Sequence, residues 1–89
     1  MVSLKRVVLD VLKPHQPNVL ELSQAIAAVG PDYCVHLTVL EVDENTETVQ
    51  IEVTGKAINF EAIQSTISEM GGSLHSIDEV EVKGEAETE

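Results

Sequence analysis

Two stretches of the chain carry the same apolar stripe. Val19, Leu22, Ile26 and Val29 fall at offsets 0, 3, 7 and 10, and Phe60, Ile63, Ile67 and Met70 repeat those offsets. That spacing puts each set on one face of a helix. The flanking segments alternate instead, which is the period of a half-buried strand. Val7, Leu9 and Val11 precede the first stripe, Val35, Leu37 and Val39 follow it, and Val49, Ile51 and Val53 precede the second. A fourth strand is predicted from about residue 74 to residue 82. There Ile77 and Val80 have opposite parity, so a bulge is expected. Two helices with one apolar stripe each cover only one face of a four-stranded sheet. The expected fold is therefore α+β: a ferredoxin-like βαββαβ sandwich, its antiparallel sheet in order 4-1-3-2 and both helices on one face.

Punctuation residues set the expected boundaries. Pro14 and Pro17 close the first strand, and Pro17 is expected at the first helical position, where a missing N–H costs nothing. Gly30 and Pro31 stop that helix, Asn59 reads as the N-cap of the second, and Gly71-Gly72 end it. Residues 1–83 read as a single domain, and 84–89 (GEAETE) as a frayed acidic tail without apolar anchors. Tyr33 and Phe60 are the only aromatics, so the core must be aliphatic. A single cysteine, Cys34, rules out an intrachain disulfide and a four-cysteine zinc site.

Sixteen acids against five bases give a net charge of −11. Nucleic acid is bound by neutralising phosphates with Lys and Arg, so neither nucleic acid nor an anionic membrane is an expected partner. No apolar run approaches the roughly 20 residues needed to span a bilayer. No signal-peptide pattern is read, and a cytoplasmic location is expected.

The topology gathers polar residues at one end of the sheet: Lys13-Pro14-His15, Glu41-Val42-Asp43, Thr46-Glu47 and His75-Ser76-Ile77-Asp78. Pairing Val39 with Val49, Leu37 with Ile51 and Val35 with Val53 keeps each aliphatic inward. The same register sets Glu41 opposite Glu47, with Asp43 on that face. Like charges directly opposite are destabilising. Either Lys13, which has the parity of Val11, offsets them, or a hard cation such as Ca²⁺ or Mg²⁺ sits among the oxygens. The candidate metal ligands are Asp10, Glu41, Asp43, Glu47 and Asp78. The candidate ligand-binding residues are Lys13, His15, His75 and Ser76. Asp10, mid-strand, either pairs with Arg6 on its own face or forms a carboxylate pair with Asp78. On the uncovered face His36 falls opposite Glu52. Cys34 and His36 alone do not make a zinc site. Val8, Leu12 and Leu40 share that face, which is expected to be a self-association surface.

Three blocks, VVLDVLKPH (Val7–His15), EVDENTE (Glu41–Glu47) and HSIDEV (His75–Val80), resemble a family of small archaeal proteins of unknown function. The resemblance covers nearly the whole chain. It implies a ferredoxin-like fold and cyclic homo-oligomers, and supplies no activity. The matching positions are Asp10, Lys13, Pro14, Glu41, Asp43, Thr46, Glu47, His75, Ser76 and Asp78. The acidic tail and His36 depart from the family pattern.

The expected function is a non-enzymatic, oligomeric binding or regulatory module, holding a divalent cation or a small polar ligand at the acidic end. The alternatives are a small enzyme using His75 with Asp10 or Asp78 for acid–base chemistry, and a ring-forming scaffold. An acylphosphatase is not expected, because the sole arginine, Arg6, lies early in the first strand and prolines remove N–H donors from the following loop. A copper chaperone is excluded by the lack of a Cys-x-x-Cys pair.

Overall fold

A computed structural model describes residues 1–84. Its elements run β1 (Val2–Pro14), α1 (Val19–Ala27), β2 (Cys34–Val42), β3 (Thr46–Thr54), α2 (Phe60–Glu69) and β4 (Ser73–Gly84). The four strands form one antiparallel sheet in the order β2-β3-β1-β4, the predicted 4-1-3-2 order read from the other edge. The fold is ferredoxin-like. Gly84 closes β4, and the rest of the predicted tail lies outside the described residues.

Each helix starts where a side chain takes over an unpaired backbone donor. Asn18 caps α1: its side chain accepts from the Glu21 N–H at 2.8 Å, and the Glu21 carboxylate accepts from the Asn18 N–H at 2.9 Å. This reciprocal box places Pro17 before the cap rather than at the first helical position. Val29 lies past the end of α1, so the buried stripe of that helix is Leu22 and Ile26. Asn59 caps α2 as expected, accepting from the Ala62 N–H at 3.1 Å. Gly71 ends α2 with φ +88°, a left-handed backbone that suits glycine. Replacing Asn18 with alanine is expected to cost about 1 kcal/mol, read as a lower thermal midpoint. An unchanged midpoint would show that the box contributes nothing.

The core lies between the helices and one sheet face. Val7, Leu9, Val11, Val49, Ile51 and Val53 meet Leu22, Ile26, Ile63 and Ile67, all at most 1% exposed. The β2–β3 register matches the prediction from Val35–Val53 to Val39–Val49 and then shifts. Leu40 drops out of the ladder, so Glu41 faces Thr48 and Val42 faces Glu47. The expected Glu41–Glu47 opposition does not form, because one unpaired residue reverses the parity of everything after it. On β4, His75 and Asp78 likewise fall outside the pairing with β1. The expected irregularity is thus present at two positions of β4, and the register shifts once more between Leu4 and Arg6 of β1. The irregularity restores Ile77 and Val80 to one face, opposite Leu9 and Val7.

Candidate functional site

The end of β1 and the β2–β3 hairpin build the polar pole. The hairpin turn closes with the Asp43 N–H donating to the Thr46 carbonyl at 2.8 Å. Lys13 pairs with Glu47 in register and continues the inward row of Val7, Leu9 and Val11. Its side chain is only 1% exposed. The aliphatic stem can lie in the core while the ammonium reaches oxygen at the rim. Lys13 Nζ donates to the Pro14 carbonyl at 2.6 Å and to Glu47 Oε1 at 3.2 Å.

His15 completes the network from the connection into α1. Its Nδ1 lies 3.1 Å from Glu47 Oε2, and its Nε2 lies 3.0 Å from the carbonyls of Asp43 and of Glu44. Every one of those partners is an acceptor. The ring can satisfy them together only with both nitrogens protonated. Hydrogen bonding to Glu47 first, then to the Glu44 carbonyl, holds the His15 pKa above its usual value. In return His15 and then Lys13 hold the Glu47 carboxyl below the ordinary carboxylate range. Chemically the network is a clamp: it fastens the hairpin turn to the β1–α1 connection.

The other predicted site residues do not join it. Glu41 and Asp43 lie exposed on the hairpin, where Asp43 contributes main-chain groups to the clamp. His75 is exposed at the edge strand, outside the β1–β4 ladder. Ser76 Oγ donates to Asp78 Oδ1 at 2.6 Å. Asp10 stands mid-sheet between Gln50 and Ser76, with Oδ1 buried and without a hydrogen-bond partner. Arg6 does not reach Asp10. It bridges Glu52, with Nε 2.5 Å from Oε2, and Glu79. Glu52 is therefore taken by Arg6 rather than by the His36 opposite it. Among the described residues, no three His, Cys, Asp or Glu side chains gather into a group able to hold a metal ion.

Sequence reasoning missed two features. Tyr33 organises the far pole, its hydroxyl accepting from the Asn59 N–H at 2.7 Å. Its place as one of two aromatics in an otherwise aliphatic chain was the available signal. The uncovered face also holds a shallow hollow of about 230 Å³ lined by Arg6, Val8, His36, Thr38, Gln50, Glu52 and Glu79. The His36–Glu52 register pointed to its floor, though not to the arginine bridge.

With this geometry in place, comparison with known proteins fixes the family. A family model described as "Uncharacterized ArCR" matches residues 5–89. The chain belongs to the DUF211 family. A relative of known sequence, an uncharacterized protein of Methanocaldococcus jannaschii, is 39% identical over 80 residues. That alignment covers 90% of this chain and 82% of the relative. The DUF211 match takes in all three blocks that carried the archaeal resemblance. In this DUF211 chain the LDVLKPH block supplies the clamp's Lys13 and His15, and EVDENTE supplies its Glu47 and turn carbonyls. Among the described residues no helix is long and apolar enough to cross a membrane.

Proposed function

We propose that this DUF211 chain is a non-enzymatic binding module that works as an assembly of copies, taking a divalent cation or a small polar ligand between them. One observation carries the reading. The sheet leaves large aliphatics bare along both outer strands: Val39, Leu40 and Val42 on β2, and Ile77, Val80 and Val82 on β4. Native domains blunt or cover such edges, because an open ladder with apolar side chains invites another strand. An isolated chain of this size also has little core to spare for leaving aliphatic surface in water.

A cation, Ca²⁺ or Mg²⁺, fits this reading only where oxygens from more than one copy meet, since single-chain carboxylates do not cluster among the described residues. Glu41 and Asp43 on the exposed hairpin are the donors for such a shared site. The enzyme alternative has less support: His75 stands exposed outside the ladder, and Ser76 spends its hydroxyl proton on Asp78.

Sedimentation velocity tests the module and the cation together. The protein is expected to sediment above monomer mass, and chelator is expected to lower that mass, with Ca²⁺ or Mg²⁺ restoring it. A monomer under every condition removes the assembly. An assembly indifferent to chelator, with no calorimetric heat on adding either ion, removes the cation.

A further inference from the structure

We infer that the open edge of β4 receives the β2 edge of a second copy, head to tail, so that the sheet continues from chain to chain. The inference rests on the proposed assembly and names its contact.

Strand direction permits it. β1 and β2 both run antiparallel to β3, and β4 runs antiparallel to β1, so β4 and β2 have opposite directions. A second copy set beside the first in the same orientation therefore presents β2 antiparallel to β4. The ladder stays antiparallel, and the helices of both copies stay on one side.

The rows across the sheet favour this partner. Three rows on the helix side are aliphatic throughout: Val35–Val53–Val7–Val80, Leu37–Ile51–Leu9–Ile77 and Val39–Val49–Val11–Leu74. Extending each row by one strand sets Val80 beside the second copy's Val35, Ile77 beside its Leu37 and Leu74 beside its Val39. Ile77 and Val80, 50% and 55% exposed, would then be covered from the side the chain leaves open. On the other face the row His36–Glu52–Val8–Glu79 sets Glu79 beside the second copy's His36.

A groove completes the fit. Between α2 and the start of β4 lies an open channel of about 430 Å³. Its lining includes Ile67 and Leu74, with Gln64, Ser65, Ser68 and Ser73 around them. In the antiparallel arrangement this end of β4 meets the end of the neighbouring β2. There Val42, 62% exposed, stands on the helix side opposite Glu47. Strand addition beside a groove uses main-chain bonds for affinity and side-chain pockets for choice of partner.

The symmetric alternatives fit worse. Two β4 edges together would bring Asp78, Glu79 and Glu81 of both copies to one seam, and facing like charges are unfavourable. Two β2 edges together would leave the β4 aliphatics in water. A contact between two different edges also repeats, since each copy keeps one of each free for the next.

Cross-linking and mass tell the outcomes apart. The row Cys34–Thr54–Arg6–Glu81 puts Glu81 beside the second copy's Cys34, which is exposed. Glu81→Cys, with Glu79→Cys and Lys83→Cys to cover a two-residue slide, is oxidised and run on a non-reducing gel. A ladder of trimers and higher species, abolished by Cys34→Ser, is expected from one of the three. Ile77→Lys and Val80→Lys, at exposed positions, are expected to reduce the sedimenting species to monomer without loss of the folded circular-dichroism signal. If the lysine variants fail to fold, the ladder decides. Dimers that persist in Cys34→Ser would mean β4–β4 pairing and overturn the head-to-tail contact. An assembled wild type with no ladder and unchanged lysine variants overturns the contact and leaves the assembly standing. A monomeric wild type overturns both.

Discussion

Lys13→Ala is expected to destabilise the chain by about 3 kcal/mol, as large-to-small changes in a core do. For a domain of this length that lowers the thermal midpoint by on the order of 15 °C. A surface lysine would cost within about 0.5 kcal/mol. Lys13 is not one: its side chain is 1% exposed and follows Val7, Leu9 and Val11 on the covered face. The alanine would remove the buried stem and both hydrogen bonds, to the Pro14 carbonyl and to Glu47. Lys13→Met separates the two contributions. Methionine keeps most of the stem's volume and loses the ammonium, so a loss of roughly 1–2 kcal/mol is expected, the scale of a buried acceptor left without its donor. Chemical denaturation of the three proteins reads both numbers. Equal losses for the methionine and alanine variants would mean that charge, not packing, holds this corner. No loss in either would mean that Lys13 is free to serve a ligand.

That burial was half legible in the sequence. Parity alone puts Lys13 with Val11, and the register through Val39–Val49 followed from alternation alone. Both rest on side-chain period, which water enforces wherever one sheet face is covered. The helix stripes were readable for the same reason, and Leu22, Ile26, Ile63 and Ile67 are the buried residues of the two helices. The misreadings come from the backbone. Around Leu40 the chain runs Val39-Leu40-Glu41-Val42, with aliphatics at both parities, so the pattern cannot show which residue leaves the ladder. Pro17 suits a first helical turn, yet the Asn18–Glu21 box outranks it because two backbone donors are satisfied at once.

Distance accounts for the Asp10 misreading. Arg6 and Asp10 share a face, but four residues along a strand span roughly 13 Å. Arg6 therefore turns to Glu52 and Glu79, which flank Val8 in the adjacent cross-strand row. Asp10 keeps a buried oxygen with nothing to accept from. The same arithmetic separates the predicted pole. His75 on β4 and Asp43 beyond β2 belong to opposite edges of a four-stranded sheet, on the order of 14 Å apart by strand spacing. One end of a sheet is not one pocket.

The clamp at that end makes the stability contributed by His15 depend on pH, with a definite sign. Its ring meets the Glu47 carboxylate and the Asp43 and Glu44 carbonyls, while Lys13 shares Glu47 from the strand beneath. The His15 pKa is raised in the folded chain, so its contribution is complete below the unfolded value of about 6.5 and is lost as pH rises through the folded value. The Glu47 pKa is lowered, so its contribution is present above the ordinary carboxylate value and is lost as pH falls through the folded one. The two overlap between roughly pH 5 and 6.5. The difference in thermal midpoint between wild type and His15→Ala is expected to be largest in that window. It should shrink as pH rises through the raised folded value of the ring, where one side of the clamp loses its donor, and shrink again in acid as Glu47 protonates. A difference that stays constant from pH 5 to pH 9 would mean that the ring acts by shape and not by its charge.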